Sequence, residues 1–278
     1  MSAPSNRRRR VALTLLALTL LGLTLVALQL PLVAAPTRAD DRRDADGNVA
    51  PPASAALPAS IRVLDLPPRM APPFAPSMPA SRSATRVLET LGRVRAGLRS
   101  TRYQHNTVVR ERDGLFAWDC SGMAAWVMAR SAPRALATIA RERAVARDFH
   151  RAITRAPTER ARGGWQRLAH IADARPGDVF AWLRPSDWPP RNTGHVGFLL
   201  AAPTPVPWLE GAYVVRIADA TSVAHQDDTR ANDADGGYGE GTLMFLTDGA
   251  GRATAYAWHG TLSGGAVMTD IVFGRLVR

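Results

Sequence analysis

From residue 84 the chain places Val87, Leu88, Leu91, Val94 and Leu98 at helical spacing, which predicts a helix over 84–99. The next apolar block, 121–130, is alanine-rich and predicts a short buried helix. Pro133 opens a third predicted helix running to about residue 155, with Leu136, Ile139, Ala140, Phe149 and Ile153 facing inward and arginines facing out. Beyond it the apolar period drops from 3.6 to two. Strands are predicted at 178–183, 195–201, 213–219, 242–246, 253–258 and 269–276, separated by Gly, Pro and Asn-Asp clusters and close enough together for an antiparallel meander. Helices gathered first and strands after them define an α+β class, with N-terminal helices packed on one face of an antiparallel β-sheet. No internal repeat is visible.

The residues before this region have a different texture. The arginines Arg7, Arg8, Arg9 and Arg10 precede an apolar run over 11–35 that ends on the small residues Val33, Ala34 and Ala35. A basic segment, an apolar segment and small residues in that order predict an export signal over 1–35, with cleavage after Ala35. The apolar run is about 25 residues long, enough to cross a bilayer, so an uncleaved N-terminal membrane anchor is the rival expectation. In both cases the arginines stay on the cytoplasmic side and the rest is exported to the periplasm, envelope or exterior. No cysteine follows the apolar run, which excludes a lipoprotein. Residues 36–80 hold ten prolines and almost no periodic apolar segment, so they read as a disordered or extended linker. A strand-like Ile61-Arg62-Val63-Leu64-Asp65-Leu66 is the one segment there expected to dock. The remaining 81–278 read as a single domain.

Charge changes this picture only slightly. The formal net charge is +11, and every basic residue is arginine. Four of the charges belong to the leader and the linker is balanced, leaving 26 arginines against 19 carboxylates over 81–278. A diffuse surplus of this kind suits anionic polymers, whether nucleic acid or an envelope polymer. No basic run with interleaved aromatics singles out nucleic acid, so none is expected as a partner.

The single cysteine, Cys120, cannot form an intramolecular disulfide, so it is a buried thiol or a working one. It stands in Asp119-Cys120-Ser121-Gly122, at the predicted start of a helix, where unpaired backbone N–H groups and the helix dipole favour a thiolate. A thiol nucleophile needs a base. Of the six histidines, His195 in Asn192-Thr193-Gly194-His195-Val196-Gly197 opens a strand and points to one defined face. His150 and His170 lie in arginine-rich surroundings and read as solvated, and His259 follows Trp258 at a turn and reads as structural. An orienting partner for the second imidazole nitrogen is expected from Asp219, which ends a strand adjacent to that of His195. His225, six residues on, competes for this role.

Asp-Cys-Ser-Gly at a helix start, Pro176-Gly177-Asp178 before a strand, then Gly194-His195-Val196-Gly197-Phe198 and a strand ending in a polar residue resemble the NlpC/P60 superfamily of papain-like cysteine hydrolases. The resemblance covers roughly 103–219. It implies a papain-like core with Cys120 acylated by an amide or ester carbonyl, His195 as general base and Asp219 as the residue that holds the imidazole. It further implies Tyr103 as a group stabilising the oxyanion and Asp119 as the residue receiving the substrate's amino group; Ser121, next to the cysteine, and His225, in a substrate-side loop, are also expected at the substrate.

The family's usual Tyr-x-x-Gly-Gly opening is replaced here by Tyr103-Gln104-His105-Asn106, and the insert between Cys120 and His195 is long. The proline-rich 202–211 and the glycine-rich Gly236-Gly237-Tyr238-Gly239-Glu240-Gly241 fall outside the shared motifs. Asp227, Asp228, Asp233 and Asp235 lack the spacing of a calcium loop and read as solvated, and no zinc-protease, serine-hydrolase or phosphate-loop motif occurs. No metal and no cofactor are expected. The leading expectation is an exported amidase or endopeptidase acting on cell-wall peptides. Two others stand beside it: a hydrolase or acyltransferase on another amide or ester, and a catalytically silent binding module tethered at the membrane.

Overall fold

A computed structural model of the chain describes residues 73–186, 188, 191–230 and 236–278. The export signal, most of the linker and the 61–66 segment therefore lie outside the described residues. Among the described residues no helix is long and apolar enough to cross a membrane.

Regular structure begins with α1 (Arg82–Gly97), whose first turn is closed by Ser81: the side-chain oxygen accepts the Ala84 N–H at 2.9 Å. A small sheet follows, built from β1 (Ser100–Tyr103), β2 (Val108–Arg110) and β3 (Leu115–Trp118), with β3 central, parallel to β1 and antiparallel to β2. These strands are too short to show a period in the sequence. Next comes α2 (Cys120–Ser131), whose first residue is the lone cysteine.

The single helix expected from Pro133 to residue 155 is two: α3 (Pro133–Leu136) and α4 (Ala146–Arg155). Two features account for the break. The Trp165 indole donates to the Ala135 carbonyl and the Thr138 hydroxyl, satisfying a carbonyl that a continuing helix would have used. The Asp148 carboxylate accepts the Val145 N–H at 3.1 Å and so opens a new helix. Ala140, expected to face inward, is exposed in the intervening loop.

The main sheet contains β4 (Trp165–Leu168), β5 (Val179–Leu183), β6 (Gly194–Leu199), β7 (Thr204–Pro205), β8 (Ala212–Thr221), β9 (Gly237–Thr247), β10 (Ala253–Ala257), β11 (Val267–Met268) and β12 (Ile271–Leu276). Its order is β11-β10-β9-β8-β6-β5-β12-β4, with β7 paired to β8, and its pairings are antiparallel. The molecule is thus mixed α+β, as the pattern predicts. The simple meander is not kept, because β12 enters between β5 and β4.

The sheet's alternation sorts its side chains to two cores. Val179, Ala181, Val196, Phe198, Ala218 and Ala220 meet Val87, Leu91, Met123, Val127, Phe149 and Ile153 of the helices. The opposite face carries Phe180, Trp182, Leu199, Val215, Ile217, Phe245 and Tyr256. Each fully buried Val, Leu, Ile, Met or Phe among them contributes about 2 kcal/mol by leaving water. By the same alternation His195 and Asp219 project from the second face, with Asp219 one residue beyond the Phe198–Ala218 pair.

His150, expected to be solvated, is buried, with Nε2 3.2 Å from an Asp270 carboxylate oxygen. His170 is exposed, and its Nδ1 lies 3.4 Å from Asp173.

Candidate functional site

A cleft of about 320 Å³ opens where the start of α2 meets the start of β6. Cys120 and His195 both line it, together with Tyr103, Asp119 and Ser121. His195 is aimed by the glycine before it. Gly194 has φ of 117°, and a Cβ there would stand 1.9 Å from the Trp182 carbonyl, so only glycine lets the strand enter at this angle. The imidazole then packs against the Trp182 ring, with centroids 4.8 Å apart.

His195 Nε2 lies 2.7 Å from Asp219 Oδ2. A carboxylate only accepts, so Nε2 carries the hydrogen and the lone pair of the neutral ring is on Nδ1. Asp219 is itself fully buried and held from three sides. His225 Nε2 donates to the same Oδ2 at 2.7 Å, and Arg230 donates to Oδ1 at 2.8 Å. The two residues that compete for the orienting role in the sequence are therefore joined in series: His225 grips the carboxylate that grips His195. Its Nδ1 meets the Trp258 carbonyl at 3.0 Å. Both partners of His225 are acceptors, so each ring nitrogen faces an oxygen. Its side chain is fully buried and is not part of the cleft lining, so the expected contact with substrate is not made.

Electrostatics follow from this arrangement. Burial opposes the charge on Asp219, but His225, Arg230 and the imidazole hydrogen bonds outweigh it and hold the carboxyl well below its usual range. Burial pushes the His195 imidazole down; Asp219 works against this, and the charges of His225 and Arg230 add to it. Burial also pushes the Cys120 thiol up, and the Asp119 charge pushes it further. The backbone N–H groups of Val196 and Ser121 favour the thiolate, but they do not reverse the direction. Both directions favour a neutral thiol and a neutral imidazole, against the thiolate expected from a helix N-terminus alone.

Asp119 caps α2 and is fully engaged. Its Oδ1 accepts from the Gly122 N–H at 2.7 Å and the Ser121 hydroxyl at 2.8 Å. Its Oδ2 meets His105 Nδ1 at 3.1 Å and an Arg143 nitrogen at 3.2 Å. Four partners fill the roughly four lone-pair positions of a carboxylate, which leaves none for the substrate amino group that the resemblance implies. The Ser121 hydroxyl, spent on Asp119, is likewise turned to the cap. Tyr103 ends β1 at the cleft, edge-on to the His105 ring.

Two arginines were not singled out by the sequence. Arg143 sits in the loop that splits the expected third helix, and no local pattern marks it. Arg230 does leave a trace, in the alternating Gly239 and Gly241 of β9. A Cβ on Gly239 would stand 2.2 Å from Arg230 Nε, and one on Gly241 would stand 2.6 Å from His225 Cβ. The glycines are the groove in which the 225–230 loop lies. Asp228, expected to be solvated, fastens that loop by accepting from Arg230 and from the His225 N–H. Asp233 and Asp235 lie outside the described residues, among which no cluster able to hold a metal ion occurs.

No protein-family model, no curated protein and no solved structure matches this chain.

Proposed function

We propose that the chain is an exported cysteine hydrolase of NlpC/P60 type that cleaves amide bonds, with cell-wall peptides as the leading substrate class. The observation carrying this reading is the shared cleft: a cysteine at a helix N-terminus beside a histidine whose far nitrogen is held 2.7 Å from a buried carboxylate. A binding module has no need of a buried, three-way-clamped carboxylate behind a histidine.

In this reading the Cys120 proton passes to His195 Nδ1 as sulfur bonds to the scissile carbonyl carbon, and the carbonyl π pair moves to oxygen. Tyr103 and the N–H groups at the start of α2 stabilise that oxygen. The imidazolium returns the proton to the leaving amine as the C–N bond breaks. Water, losing a proton to His195, then cleaves the thioester and regenerates the thiol. Asp219 stays ionised throughout and stabilises the imidazolium.

The saturated Asp119 favours a second substrate class for the same chemistry, an amide or ester outside the stem peptides. One experiment tests both. Wild type and Cys120→Ala are incubated with purified cell walls and with a panel of acyl amides and esters, and new amine, hydroxyl or carboxyl termini are sought by mass spectrometry. New termini from wild type alone support the reading. Identical products from both proteins, or none from either, overturn it.

A further inference from the structure

The groups around the cleft are unequal in hydrogen-bonding character. The lining holds two arginines, Arg143 and Arg191, and Arg143 bonds both the Asp119 carboxylate and the His105 carbonyl. An aromatic wall is made by Trp182, Tyr256 and Trp258, whose rings pack on one another, with Trp188 also in the lining. Two polar atoms on that wall, Tyr256 Oη and Trp258 Nε1, are buried without a partner among the described residues. The Trp258 indole is a donor only, and the phenol donates as readily as it accepts. Against these donors the described lining offers one carboxylate, Asp119, whose lone pairs are already taken by four donors.

Arg143 has capacity left. Its bonds to Asp119 and to the His105 carbonyl, the latter at 2.6 Å, both run through one terminal nitrogen. A guanidinium has five N–H donors in a flat fork, and its remaining edge suits a carboxylate. The side chain is half exposed, so solvent and ligand reach it.

We propose that this cleft selects substrates bearing a carboxylate, seated against Arg143 and Arg191 with the chain lying on the aromatic wall, and rejects substrates that present a free amino group beside the scissile bond. The inference rests on the hydrolase reading only in calling the ligand a substrate; the charge preference itself does not depend on Cys120 chemistry.

The test therefore measures binding in the full-length Cys120→Ala protein. Three probes are titrated by calorimetry: N-acetylglutamate α-amide (blocked, with one carboxylate), N-acetylglutaminamide (its neutral isostere) and glutaminamide (a free ammonium and no carboxylate). The acidic probe should bind about tenfold more tightly than the neutral one, the scale of a charge-assisted pair, with glutaminamide the weakest. Adding Arg143→Gln should bring acidic and neutral probes to within about twofold, and Arg143→Lys should keep the order while weakening it, a rescue that excludes simple misfolding. Glutaminamide binding best, equal or unmeasurable affinities for all three probes, or a preference unchanged by Arg143→Gln overturns the inference. Failure of the hydrolase reading shows elsewhere, as equal turnover by wild type and Cys120→Ala.

Discussion

His195 and His225 donate to one and the same oxygen, Asp219 Oδ2, each at 2.7 Å. An ionised carboxylate oxygen accommodates two donors, so neither ring displaces the other. With Arg230 on the second oxygen, the carboxylate cannot swing without breaking three charge-assisted or imidazole bonds. The His195 ring is positioned by a carboxylate that is itself immobilised.

Asp219→Asn keeps the size of the side chain but removes its charge, leaving Arg230 and His225 buried against an amide. The loss should be about 3–5 kcal/mol at neutral pH, measured by denaturant unfolding. A carboxyl whose folded value is depressed stabilises the fold above its ordinary 3.8 and loses that contribution as pH falls through the depressed value. The gap between variant and wild type should therefore hold down to about pH 4 and close only below it. Turnover should fall by about two to four orders of magnitude. A variant as stable and active as wild type would remove Asp219 from the site.

His225→Ala should act on kcat and leave KM nearly unchanged, because the ring lies behind Asp219 and not in the cleft. A loss of about ten- to a hundredfold in kcat is expected for a lost positioning bond one step removed from the base. A KM effect alone would mean that the 225–230 loop meets substrate.

Burial and the nearby cations hold His195 below its ordinary value of 6.5, and it must be neutral to accept the thiol proton. The acid limb of kcat/KM should accordingly lie below pH 6.5. Cys120 is shifted the other way, so its alkylation by iodoacetamide should keep rising with pH through the neutral range. Alkylation that is fast and flat from pH 5 to about 9 would reveal a preformed thiolate–imidazolium pair.

Gly239→Ala places a methyl group 2.2 Å from Arg230 Nε. Overpacking of this kind should cost about 1–3 kcal/mol, and kcat should fall with it as Arg230 is pushed off Asp219. Thermal unfolding and turnover measured on one preparation check both. Unchanged stability would show that the loop does not lie in the glycine groove.

The strongly periodic parts of this fold were legible: α1, α2 and the strands that became β5, β6, β8, β9, β10 and β12 follow from apolar spacing alone. The break between α3 and α4 was not, because the groups that make it are a tryptophan from β4 and a carboxylate three residues inside α4. Cys120 and His195 stood out because a thiol and an imidazole each sit at the start of an element; Asp219 was read as a strand end, but β8 runs two residues further, to Thr221. What those positions could not reveal was saturation. Asp119 has His105 and Arg143 as partners across 14 and 24 residues, and such pairings have no local signature. The same holds for the direction of the Cys120 shift, which is set by how deeply the fold buries the sulfur.

The placement of β12 bears on how the molecule is assembled. Strands β4 and β5 are consecutive in the chain yet do not touch; β12 fills the space between them, pairing Phe273 with Leu168 on one side and with Phe180 on the other. Until that strand arrives, two inner edges of the sheet stand open, each able to template unwanted pairing. Closing them requires contacts between residues far apart in sequence, the kind that slow folding. A folding chain would pass through an interval in which the helices are formed but the sheet is still split, and that interval is when a chaperone or a protease would find it.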